Sequence, residues 1–201
     1  MRSRQTNKPD KYIVSECAKV LRDELPYNLH IFVNSVEFIA KVIDTLKLAP
    51  EAVKVVCSTS GESRQENQRK LGNAYPIGQP SDPAKKINFY TSTCFEGCDI
   101  FDPDGVTFIV SDGRKAHTLL DISTLFTQIC GRIRDSRYKA QIVHVYSTTK
   151  YSKTVTLDEF VAATQRTLAD AESYAAEINS LSEATRVKTL SKIPYINEQY
   201  V

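Results

Sequence analysis

Short apolar runs of four to six residues recur through the first three-quarters of the chain, and each is followed by a segment of helical periodicity. This alternation constrains the fold more than any other feature. The runs are Leu29–Val33, Val53–Cys57, Ile87–Tyr90, Val106–Val110 and Gln141–Tyr146. They are too short for helices, and most are apolar at successive positions rather than at every second one, which is how strands buried on both faces read. Between and before them, apolar residues fall at helical spacing: Ile13, Cys17, Val20 and Leu21, then Phe38, Ile39, Val42, Ile43 and Leu46. Strands alternating with helices predict an α/β fold, an open parallel sheet with helices on both faces.

The predicted boundaries follow from breakers and caps. Residues 1–11 are polar and read as a linker or disordered segment. A helix over Tyr12–Leu25 stops at Pro26, and one over Val36–Leu48 stops at Pro50. Ser58–Gly61 is a loop of small polar residues before a charged helix, Glu62–Leu71, and Gly72–Lys86 is a Gly- and Pro-rich loop. A further helix is expected over about Asp121–Ile133. Residues 12–150 then form one domain, and 151–201 a helical extension. In the extension Thr156 and Glu159 form a capping box ahead of an amphipathic stripe that runs from Phe160 to Leu181, with a break near Ser180–Glu183. The ending at Gln199-Tyr200-Val201 reads as a truncation.

Composition excludes more than it selects. At 201 residues with 41% hydrophobic and 25% charged content, the chain reads as an ordinary globular protein, and its net charge of +2 marks no global polyanion surface. No apolar run approaches the length of a membrane span, and the polar start does not resemble a signal peptide. Five scattered cysteines suit a reducing, cytoplasmic compartment. Cys94 and Cys98 lack a second Cys/His pair to complete a metal site, so no metal is expected.

The chemistry concentrates in Gln128-Ile129-Cys130-Gly131-Arg132-Ile133-Arg134. Two arginines so close to a glutamine and a glycine call for an anion, since guanidinium does not deprotonate at neutral pH. Loops after predicted strands supply further polar groups. Asn34 and Ser35 follow the first run, Ser58, Thr59, Ser60 and Gly61 the second, and Thr91-Ser92-Thr93-Cys94-Phe95-Glu96-Gly97-Cys98-Asp99-Ile100 the third. The hydroxyls near helix starts suit phosphate oxygens or plain helix caps.

Thr91 six residues before Gly97, with Asp99 two after it, resembles motif V of the superfamily-two helicases. Gln128-x-x-Gly131-Arg132 resembles their motif VI, and Leu29–Ser35 ahead of an amphipathic helix resembles motif IV. Together the segments resemble the second, C-terminal RecA-like domain of that family, over about residues 12–147. The resemblance implies an arginine finger that reaches the γ-phosphate of ATP, with Arg134 favoured, Arg132 also near the phosphates and Arg137 a poorer substitute, because the position usual for the second arginine holds Asp135. It implies that Gln128 orients groups across the same cleft, that Gly97 and Asp99 face the nucleotide, and that Ser35, Ser58, Thr59 and Thr91 grip a nucleic-acid backbone.

No phosphate loop and no acidic Mg²⁺ box occur in the sequence. The resemblance therefore implies half of a hydrolase: ATP-binding and DNA-binding in partnership with a first RecA-like domain of the same parent chain, which would hold most of the ATP and Mg²⁺. DNA is favoured over RNA, and no ATPase is expected from the fragment alone. The alternative is a non-catalytic, helicase-like interaction module.

Overall fold

The computed structural model describes residues 1–148 and 155–190, and the chain end at 199–201 lies outside them. The chain divides into two compact units, Met1–Lys150 and Tyr151–Val201. The first is an open, all-parallel sheet of six strands: β1 (Arg2–Gln5), β2 (Asn28–Phe32), β3 (Val53–Val56), β4 (Ile87–Tyr90), β5 (Gly105–Asp112) and β6 (Ile142–Ser147), in the order β1-β6-β5-β2-β4-β3. This is the open α/β architecture that the alternation of runs predicts.

Alternation along each strand sorts the side chains into two cores. Leu29, Ile31, Val55, Phe89, Val106 and Phe108 face one side, where they pack with α1 (Pro9–Leu21), α2 (Val36–Leu46) and α3 (Gly61–Leu71). Phe32, Val56, Tyr90 and Ile109 face the other. There the cover is the segment that follows β4, a π-helical turn at Ile122–Phe126 and the short helix α4 (Thr127–Cys130). One face is thus roofed by long helices and the other largely by irregular chain, which is where polar chemistry can enter the fold.

Three expectations need correction. The polar start is not a linker: Arg2–Gln5 adds to the sheet edge beside β6, and Thr6 N–H continues the ladder to Tyr146 O at 2.8 Å. Both faces of this edge strand are exposed, so no apolar pattern announces it. The helix expected over Tyr12–Leu25 starts earlier, with Pro9 in its first turn, and ends earlier, where Asp23 turns left-handed at φ 54°. The helix expected over Asp121–Ile133 opens as a π turn capped by Asp121 and closes at Gly131. Arg132 and Arg134 therefore lie beyond the helix.

In the second unit, Thr156 and Glu159 form the expected capping box on α5 (Leu157–Ser180), which breaks at Leu181 before α6 (Glu183–Leu190). Among the described residues, no helix is long and apolar enough to cross a membrane.

On the irregularly roofed face, His30 is fully buried and held at both ring nitrogens, by Tyr90 Oη at 3.1 Å and by Asp102 Oδ2 at 2.8 Å. One neutral tautomer satisfies both bonds: Nε2–H donates to Asp102 and Nδ1 accepts from Tyr90. Burial pushes the imidazole below its ordinary range and outweighs the upward pull of Asp102. For Asp102, burial pushes upward, but hydrogen bonds from His30, Asn28 and the Asp104 amide prevail and hold the carboxyl below its usual range. Gly105 lies against this ring, and a Cβ there would stand 2.9 Å from His30 Cδ2 and Nε2. Because the ring is fixed at both ends, it cannot yield. Gly105→Ala is expected to cost about 1–3 kcal/mol, read as a lower urea midpoint with an unchanged slope; an unaltered midpoint would contradict this packing.

Candidate functional site

The segment after β4 builds the site. Thr91 N–H is held by Val56 O at 3.0 Å, and Ser92–Cys94 make one 3-10 turn. Gly97 adopts φ 71°, a left-handed conformation that side chains rarely adopt, and turns the chain across the sheet face. Ile100 then pairs in parallel with Ile133: Ile100 N–H donates to Arg132 O at 2.9 Å, and Arg134 N–H donates to Ile100 O at 3.0 Å. Both isoleucines are buried in the second core. Their burial fixes the register of the residues on either side.

Those flanking residues are the polar ones. Arg134 Nε donates to Asp99 Oδ1 at 2.7 Å, with the two side chains 49% and 48% exposed. Arg132 donates from Nε to Gln128 O at 2.9 Å and from a terminal nitrogen to Cys98 O at 3.0 Å. Asp135 turns away from the cluster; its carboxylate accepts from the Asp102 N–H at 3.0 Å and pins the far end of the loop. Arg137 pairs with Asp104. Gln128 is exposed on α4, and its carbonyl is what Arg132 engages.

The arrangement presents positive charge at a half-exposed surface beside the left-handed turn at Gly97. A half-exposed ion pair of this kind is worth about 0–1 kcal/mol, so an incoming phosphate can compete for the Arg134 guanidinium at small cost. A cleft of about 130 Å³ opens beside Asp99, lined by Lys54, residues 80–84, Ile100 and Phe101, with Phe101 67% exposed. Sites that enclose a whole small-molecule ligand usually measure roughly 300–1,000 Å³. This cleft does not enclose a nucleotide; any such ligand would need a second surface opposite.

The remaining sequence candidates fall elsewhere. Ser35, Ser58, Thr59 and Thr91 line up after β2, β3 and β4, neighbours in the sheet, along its carboxyl edge. Ser35 is buried, and its hydroxyl is engaged as the cap of α2, accepting from Phe38 N–H at 3.2 Å. Ser58 Oγ meets Ser60 Oγ at 3.0 Å, Thr59 is exposed, and Thr91 is buried. The arginine cluster does not join this row. The loop from Thr91 runs away from the carboxyl edge to the amino ends of β2 and β5, where Asp102 accepts from Asn28 Nδ2 at 3.0 Å.

Several residues that matter to the site carry no local sequence signal. Asn34 ties two loops together, donating to His117 O at 2.9 Å and accepting from Ser92 N–H at 3.4 Å. Lys54 is buried, and its ammonium donates to Pro80 O at 3.0 Å and Asp82 O at 2.5 Å; burial pushes its pKa down. Asp102 and His30, 72 residues apart, meet only in the fold. Among the described residues, no group of three or more His, Cys, Asp and Glu side chains is placed to hold a metal. No protein-family model matches the chain, and no curated protein matches it.

At the end of β5, Asp112 accepts from Arg114 Nε and Nη2, both at 2.9 Å, and from Ser147 Oγ at 2.7 Å. The Arg114 guanidinium, ahead of the opposing effect of burial, holds the Asp112 carboxyl at about 2. A carboxyl whose pKa is lower folded than unfolded stabilises the fold above its unfolded pKa, and the contribution fades as pH falls towards the folded value. Wild-type stability should therefore decline from about pH 4 to about pH 2 more steeply than that of Asp112→Asn, by about 1–2 kcal/mol, measured by denaturant unfolding across that range. Equal declines would contradict the pairing.

Proposed function

We propose that the chain is the second motor domain of a nucleic-acid-dependent ATPase, a DNA helicase or translocase. In this reading it supplies an arginine finger and a backbone-binding edge to a partner domain that holds the nucleotide. One observation carries the reading: the two segments that resemble motifs V and VI are paired strand to strand at Ile100 and Ile133, so that Arg132 and Arg134 stand beside Gly97–Asp99 at a half-exposed surface.

The mechanism follows from charge and placement. ATP and Mg²⁺ would be held mainly by a first RecA-like domain carrying the phosphate loop. When that domain closes on this surface, Arg134 exchanges the Asp99 carboxylate for the γ-phosphate. Asp99, once released, is placed to accept from a ribose hydroxyl. Positive charge positioned this way stabilises the charge that develops on the transferred phosphoryl group. Arg132 keeps its bonds to Gln128 O and Cys98 O and maintains the shape of the loop while contributing to the same field. Exposed Thr59 and the Ser58–Ser60 pair contact the phosphodiester backbone along the carboxyl edge. Such contacts carry no sequence information and weaken as salt rises. Cytoplasmic action accords with the free thiols of all five cysteines.

The decisive comparison uses the chain alone and the chain joined to the polypeptide that supplies the phosphate loop. Alone, it should release no phosphate from ATP above background. In the joined protein, nucleic acid should stimulate hydrolysis, and Arg134→Ala should lower the rate about 10³-fold or more while nucleotide affinity changes far less. Turnover by the isolated chain would overturn the reading, and a joined protein indifferent to Arg134→Ala would overturn it in favour of a non-catalytic interaction module.

A further inference from the structure

Alternation brings two further side chains to the surface that bears the arginines. Ile100 and Ile133 are buried where their segments pair, so the residues on either side of each project away from the core. On one segment these are Asp99 and Phe101; on the other they are Arg132 and Arg134. Along an extended chain, Asp99 and Phe101 stand roughly 6–7 Å apart. Phe101 is the most exposed phenylalanine among the described residues. It lines the cleft of about 130 Å³ beside Asp99 together with Pro80, Pro83 and Lys54.

These side chains offer three kinds of contact in a fixed order. The Arg134 guanidinium bonds Asp99, the Asp99 carboxylate stands between, and the Phe101 ring follows it along the segment, sharing its cleft with two proline rings. An anion site, a hydroxyl acceptor and an apolar ring match the phosphate, ribose and base of a nucleotide in their covalent order. The Lys54 ammonium spends two of its three donors on Pro80 O and Asp82 O, which leaves one for a nitrogen or oxygen of such a base.

We propose that Phe101 is the stacking platform for the base, a purine, of the nucleotide whose γ-phosphate Arg134 reaches. The proposal rests on the function proposed above, because Arg134 and Asp99 take their ligand groups from it. Aromatic stacking accepts any base through its π-face, and the larger ring system gains more. The cleft is small, so the platform covers one face of the base, and the first domain covers the other on closing. Stacking is made alike in the bound and the reacting state. It therefore acts on affinity rather than on rate.

The test uses the joined protein and steady-state hydrolysis of ATP and UTP. Phe101→Ala should raise the KM for ATP about 10-fold and leave kcat within about threefold. The KM for UTP should rise less, so that the preference for the purine narrows, and Phe101→Trp should restore it. Because Phe101 is exposed, its replacement should leave the denaturant midpoint unchanged. A lower kcat at constant KM, or equal rises for ATP and UTP, would overturn the platform and make Phe101 a contact between domains. The two proposals fail differently. If Phe101→Ala is silent while Arg134→Ala abolishes hydrolysis, the platform falls and the motor reading stands. If Arg134→Ala is silent too, both fall.

Discussion

Two buried isoleucines, Ile100 and Ile133, pair in parallel outside the main sheet, with Ile100 bonded to the backbone of Arg132 and Arg134, and the geometry of the polar cluster depends on that pairing. Neither the loop after β4 nor the segment after α4 is regular enough to hold its own shape. Burial of a large aliphatic side chain is worth about 1.5–3 kcal/mol, several times the worth of the exposed Arg134–Asp99 pair. The apolar residues therefore set the register, and the charged residues beside them follow. That division lets the guanidinium change partners without loss of the fold, because the scaffold does not rely on the ion pair.

The two sheet faces serve different ends. The face roofed by α1, α2 and α3 is a conventional apolar core. The opposite face tolerates His30, Lys54, Asn88 and Asp102 because each is answered internally: His30 by Tyr90 and Asp102, Lys54 by two carbonyls, Asn88 by Leu29 O and the Lys85 backbone. An unanswered polar group there would cost on the order of 1–3 kcal/mol. The lattice of bonds ties the amino ends of β2 and β5 to Asp102 and so, through Asp135, to the arginine segment. Rigid polar anchoring below and an exchangeable ion pair above together define a site with one fixed end and one free end.

Strands β2 to β5 were legible in the sequence because burial on both faces writes largely apolar runs, and half-buried β6 was legible through Ile142, Val143 and Val145. Edge strand β1 was not, since Arg2–Gln5 is exposed on both sides and is held by backbone bonds alone. The helix before the arginines was misread in extent: apolar spacing through Leu125, Ile129 and Ile133 suits one helix, but Gly131 closes it, and Ile133 reaches the core as part of an extended pair instead. For the arginine cluster, residue types and order singled out the two segments, and the partners stayed hidden. The pairing of Arg134 with Asp99 crosses 35 positions and that of His30 with Asp102 crosses 72, and neither separation leaves a local pattern. The odd position of Asp135 becomes intelligible only in the fold, where its carboxylate is a loop anchor.

Amide hydrogen exchange tests the central claim most directly. If the Ile100–Ile133 pairing organises the cluster, the amides of Ile100 and Arg134 exchange slowly and together, and Ile133→Gly releases both while the amides of β2 and β4 stay protected. Rapid exchange of Ile100 and Arg134 in the unaltered chain, at the rate of exposed loops, would show that no such pairing holds the arginines in place.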